Sequence, residues 1–147
     1  YMLYGSSPFT TTQANADKLI PAMTFKSAVI SLRNIGPGES VGYTSNWTSN
    51  RPSSIATITV GYGDGYPRHA PNGTPVLINN IRCPLVGRVS MDMITVDVTD
   101  LESIEIGDEV TLWGPDLSVN EIAHHCDTIG YELLTRMPSR VPRTYIN

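Results

Sequence analysis

Lysine is nearly missing from this chain. Lys18 and Lys26 are the only two in 147 residues, so chemistry that needs an amine beside a reacting carbon has little to draw on. Lys26 falls in a strand-like stretch, where a lysine ordinarily guards a sheet edge against pairing. Cysteine is as scarce. Cys83 and Cys126 lie far apart and read as two buried free thiols of a cytosolic protein rather than as a disulfide. No stretch approaches the ~20 apolar residues of a membrane-spanning helix. The opening YMLYGSSPFT has neither the charged start nor the long apolar core of a secretion signal. The Lys and Arg residues form no run and the net charge is −4, which argues against nucleic acid as a partner. No internal repeat is visible, and the expected location is cytoplasmic.

What is present suits one folded domain: 40% of the residues are hydrophobic and 16% are charged. The first residue is Tyr rather than Met, and Tyr1–Tyr4 reads as a short apolar strand cut from something longer. A polar connector of Ser, Thr, Gln and Asn follows over 6–17. From Pro21 the text becomes strand-like. We expect residues 1–21 to be the end of a preceding unit plus a linker, and residues 22–147 to be a β-domain.

Within that domain, 23–30 and 55–60 are rich in strand formers, and 93–98 alternates apolar and polar residues. Asn34–Glu39 is turn chemistry. Asn79-Asn80, between Pro75–Ile78 and Ile81–Cys83, predicts a two-residue hairpin. Ile106–Gly114 predicts a turn and then a strand. Helices come late. Ser118 and Glu121 have capping-box spacing ahead of a stripe of Val119, Ile122, Ala123 and Cys126, and a second short helix is expected from about Tyr131 to Arg136. Many short strands at regular spacing predict a mainly β fold, a small barrel or sandwich with one or two short helices near the C-terminus.

Residues 59–98 concentrate the chemistry: Tyr62, Asp64, Tyr66, Arg68, Arg88 and Asp92 stand among glycines. Gly61–Gly65 has the wrong spacing for a dinucleotide fingerprint, and Pro67 stands where a helix would open, so a tight bend is the plainer reading. Asp64 and Asp92 would suit glycoside hydrolysis if paired, but an Asp in a glycine turn ordinarily binds the local backbone. His124, His125 and Cys126 are consecutive on a helix, point ~100° apart and do not converge on one ion; no metal is expected. Tyr43, Tyr62 and Tyr131, each taken alone, read as amphipathic residues at the core edge.

Taken together, five blocks resemble one family. LYG at 3–5, MTFKS at 23–27, VGY at 41–43, GYGDGYPR with GTPV and VGRVSMDM through 61–93, and YELLTRMPSRVPR at 131–143 are similar to the C-terminal domain of alanine racemases, enzymes of pyridoxal-phosphate fold type III. The resemblance implies a homodimer that interconverts L- and D-alanine, supplying D-alanine for peptidoglycan. It implies an N-terminal (β/α)8 barrel that lies before this chain and bears the Schiff-base lysine. The second base is a tyrosine delivered to the partner subunit's barrel, matching Tyr43. Met91 and Asp92 match the segment that meets the substrate carboxylate, largely through backbone. Tyr131 matches the tyrosine that reaches the cofactor phosphate, and Tyr1 would follow a phosphate-binding stretch. Tyr62, Arg68, Arg88 and Ile129 match positions that line the substrate entrance. One departure stands out: the family's usual glycine after the catalytic tyrosine is Thr44 here.

Two bases on opposite faces of Cα are the simplest design for racemisation. A tyrosine of pKa ~10 is almost wholly protonated at neutral pH and so is a ready donor. The isolated chain, which lacks the barrel, is expected to be inactive. Competing expectations are a broad-specificity racemase, a decarboxylase relative (whose cysteine-centred signature is not seen around Cys83 or Cys126), and a non-catalytic β-module for binding or dimerisation.

Overall fold

The computed structural model describes residues 1–9 and 18–146, so most of the connector expected over 6–17 lies outside the described residues. Phe25–Ile35 forms β1, Ser40–Val41 β2, Trp47–Thr48 β3, Ser53–Ile58 β4, Pro75–Ile78 β5, Ile81–Pro84 β6, Ile94–Asp97 β7 and Glu109–Trp113 β8. Six of these make one sheet in the order β6-β5-β8-β1-β4-β7, and every pairing is antiparallel. The two outer strands meet: Leu85 bridges Val96, and the Val86 N–H donates to the Thr95 carbonyl at 2.9 Å. The sheet is therefore a nearly closed barrel.

Closure depends on β1. Phe25–Ala28 pairs with β8 and Val29–Ile35 with β4, and the register shifts between Val29 and Ser31. Such a shift bends a strand and lets one strand serve two walls. Val29, Ile58, Val76, Ile78, Ile94, Val96, Val110 and Leu112 fill the interior. Val119–His125 (α1) and Gly130–Thr135 (α2) add buried Ile122 and Leu133 to the same core. Trp113 packs against Phe25 and Tyr66 at 4.7 and 6.3 Å between ring centroids. Both cysteines are free and buried, and burial pushes each thiol up to about 11, which keeps it protonated at neutral pH. No helix among the described residues is long and apolar enough to cross a membrane.

The hairpin at Asn79-Asn80 forms as expected, with φ of 50° and 64°, the left-handed pair that a two-residue turn requires. The strand expected over Tyr1–Tyr4 does not form. Met2–Tyr4 is a 3-10 turn closed by left-handed Gly5, and no strand among the described residues pairs with it. β1 runs two residues into the predicted turn, because Asn34 and Ile35 still pair with Ser54 and Ser53. Lys26 guards no edge: β1 lies inside the sheet, and Lys26 Nζ is 2.7 Å from Glu109. The capping box is half made. Ser118 accepts from the Asn120 N–H, but Glu121 turns outward to Arg82, because a guanidinium outcompetes one amide for a carboxylate.

Candidate functional site

The ribbon of β2 and β3 carries the VGY block outside the barrel. Buried Val41 packs with Ile35, Ile55 and Val86 and anchors the ribbon. Gly42 (φ 81°) lies against Gly87 (φ 80°), and a Cβ on Gly42 would sit 2.8 Å from the Arg88 nitrogen. Two glycines thus let two backbones touch. Beyond them Tyr43 opens a 3-10 turn over Tyr43–Ser45 and is 71% exposed. It is neither a core-edge residue nor a strand residue. Its side chain lines an open groove of about 500 Å³ together with Arg33, Arg88, Ser90 and Met93.

Thr44 adopts φ 62°, ψ 20°. That is the left-handed region, where a β-branched residue is a true outlier. Its hydroxyl donates to the Tyr43 carbonyl at 2.6 Å, a local compensation. Thr44→Gly is expected to raise stability by about 1 kcal/mol, the left-handed cost less the extra freedom of glycine in the unfolded chain. A melting temperature unchanged or lowered in that variant would refute the strain.

The glycine bend packs directly on the SMDM segment. The Tyr62 N–H donates to Ser90 O at 3.0 Å and the Gly63 N–H to Met91 O at 2.8 Å, so these amides do not cradle a phosphate. Asp64 accepts from the Gly61 N–H at 2.9 Å, the local backbone role expected of it. Arg140, from the far end of the chain, donates from Nε to Asp64 at 2.9 Å and from Nη2 to Asp92 at 2.7 Å. Asp92 first, and Asp64 after it, hold the guanidinium pKa above its ordinary value. The two carboxylates share a cation, which is not the free acid–base pair a hydrolase needs.

A second group lies at α2. Tyr131 stacks on Tyr1 with ring centroids 3.7 Å apart. The Tyr1 hydroxyl pairs with Asn120, and Gly130 leaves room for it. Burial raises the Tyr1 pKa. Tyr131 and Ile129 present exposed faces.

Residues 22–145 match the family model described as alanine racemase, C-terminal domain. The chain belongs to this family. It is 58% identical over 146 residues to the alanine racemase of Pseudoalteromonas atlantica, covering 99% of this chain and 39% of that protein. The crystal structure of biosynthetic alanine racemase from Pseudomonas aeruginosa matches at TM-score 0.96 and 52% identity, over 99% of this chain and 41% of that one. The Bartonella henselae alanine racemase, solved with covalently bound pyridoxal phosphate, matches at TM-score 0.88 and 36% identity, over 99% of this chain and 40% of its own. The chain therefore spans about 40% of the length of the relatives it matches.

Within this alanine racemase domain the folding brings most of the expected site residues into two groups. Tyr43 and Arg88 share the groove, and the Tyr62 turn packs on Ser90–Met91 beside Asp92. Tyr1 and Tyr131 form the second group beside exposed Ile129. Arg68 is exposed and makes no ion pair among the described residues. Two residues escaped the sequence reading. Arg140 is one. Asn72 is the other: it accepts from the Gly87 N–H at 2.7 Å and donates to Asn46 O at 3.0 Å, pinning the Tyr43 turn to the Arg88 segment. Its place in a Pro-Asn-Gly turn gives no hint of that role.

The residues fit one end of pyridoxal phosphate. Tyr131 offers an exposed phenol on a ring held by Tyr1, suited to a phosphate oxygen. Lys26 does not fit the aldehyde end, because it is paired with Glu109.

Proposed function

We propose that this domain works as the C-terminal part of an alanine racemase that interconverts L- and D-alanine in a pyridoxal-phosphate-dependent homodimer and so provides D-alanine for peptidoglycan. The carrying observation is Tyr43: a phenol largely in solvent, on a turn fixed by backbone contact, in a groove with two arginines. A core or strand tyrosine would not be presented in this way.

In the proposed dimer the partner's barrel covers the groove, and the Tyr43 hydroxyl gives or takes the Cα proton on one face. A phenol is an effective donor near neutral pH, and as an acceptor it needs cations near it. Arg33 and Arg88 line the same groove. Met91 and Asp92 hold the substrate carboxylate end largely through their backbone, Tyr62, Arg68, Arg88 and Ile129 line the way in, and Tyr131 with Tyr1 takes the phosphate. The cofactor, when bound, supplies the electron withdrawal that lets the Cα proton leave.

The test compares two chains. A longer chain carrying this domain behind its barrel is expected to racemise alanine in preference to serine or lysine. Residues 1–147 alone are expected to show no racemisation and no retained cofactor absorbance after dialysis with pyridoxal phosphate. Cofactor retained by the short chain, or a long chain without alanine racemase activity, contradicts the reading.

A further inference from the structure

We propose that Arg140 is a positioning residue for the amino-acid substrate: by gripping Asp64 and Asp92 with one guanidinium, it fixes the Met91–Asp92 turn against the Tyr62 turn. This rests on the reading above, in which Met91 and Asp92 meet the substrate carboxylate.

Three observations converge on it. The guanidinium uses two different nitrogens for the two carboxylates, at 2.9 and 2.7 Å, and Asp64 passes the constraint on to the Gly61 N–H at 2.9 Å. The same guanidinium lies across Gly63, where a Cβ would come within 2.6 Å of Nη2. Gly63 itself donates to Met91 O at 2.8 Å. The segment bearing Arg140 is also tied down: the turn closes from the Val141 N–H to Pro138 O at 3.3 Å, and Gly65 lies under the Arg136 carbonyl and Met137 Sδ. The C-terminal strap therefore meets the glycine bend at two points and reaches the substrate segment at a third.

The alternative is an ordinary surface ion pair. The side chains are 43% (Arg140), 21% (Asp64) and 60% (Asp92) exposed, so the cluster adds little to folding stability. Position is where the cluster has leverage, because a ~1 Å displacement of a binding segment costs up to about a hundredfold. A lysine cannot replace the fork, since an ammonium is a single point of charge on a flexible stem.

The experiment uses the longer, barrel-bearing enzyme and measures KM and kcat for L-alanine together with the melting temperature. Arg140→Met, Arg140→Lys and Gly63→Ala are expected to raise KM about tenfold or more, with kcat within about threefold and the melting temperature within about 3 °C of the unsubstituted enzyme. Arg140→Lys keeps the charge but not the fork, and so decides the matter if Arg140→Met does not fold; Gly63→Ala is read only beside it, because its Cβ would also come within 3.0 Å of Met91 O. Asp64→Asn added to Arg140→Met is expected to raise KM no further, because both act through one contact path. Unchanged KM in Arg140→Met and Arg140→Lys overturns the inference and leaves the racemase intact. So does a KM rise confined to variants whose melting temperature falls sharply. An unsubstituted enzyme without racemase activity overturns the function itself and this inference with it.

Discussion

Replacing Tyr43 with Phe in the barrel-bearing enzyme is expected to slow alanine racemisation by two to four orders of magnitude, roughly 10²–10⁴-fold, the usual worth of a positioned proton-transfer group. The melting temperature should hardly move, because Tyr→Phe removes one hydroxyl and keeps the ring that packs. Overall turnover falls in both directions, since the two enantiomers have equal free energy. Deuterium uptake separates the two bases. In heavy water the variant should exchange the Cα proton of L-alanine very slowly, yet still exchange that of D-alanine through the amine on the other face. Undiminished uptake into L-alanine would remove Tyr43 from the chemistry.

Gly61→Ala is the second large effect. The backbone at Gly61 has φ −151°, which any residue adopts, so conformational freedom is not the issue. Space is. A Cβ there would overlap the carbonyls of Ser90 and Met91, and backbone atoms cannot swing aside as a side-chain end can. Overpacking of this kind costs about 3 kcal/mol, and it pushes the glycine bend off the segment proposed to hold the substrate. Gly38→Ala is the control. It has φ 86° and nothing near its Cβ, so it should lose only about 1–2 kcal/mol from strain. Denaturant midpoints for both variants make the comparison. Equal losses would mean that the contact with Ser90 and Met91 is not tight.

The strands were legible in the sequence because their β-branched residues alternate, as at Ile94 and Val96, and because Asn79-Asn80 tolerates positive φ. The stripe on α1 was legible for the same reason: period fixes burial. Asp64 was read correctly as a local turn residue, because its partner is three positions away. What escaped depends on contacts distant in sequence. Arg140 reaches carboxylates 76 and 48 positions earlier, and no spacing rule encodes that. The first four residues matched a strand pattern, but a strand needs a neighbour to pair with, and Met2–Tyr4 has none among the described residues. Thr44 shows the opposite lesson. The missing family glycine marked a place in the VGY turn where the backbone is left-handed, with Ser45 beside it at φ 52°, so the residue that broke the pattern exposed a strained stretch.

The Gly42–Gly87 seam has a consequence for how this half of the site tolerates error. Nothing compressible separates the loop that presents the phenol from the segment that presents Arg88. Any shift of one is handed to the other undamped, so acid and guanidinium travel as a single tooth. Fit against a facing surface is then all or nothing, and the domain has little capacity to adjust one group while leaving its neighbour in register.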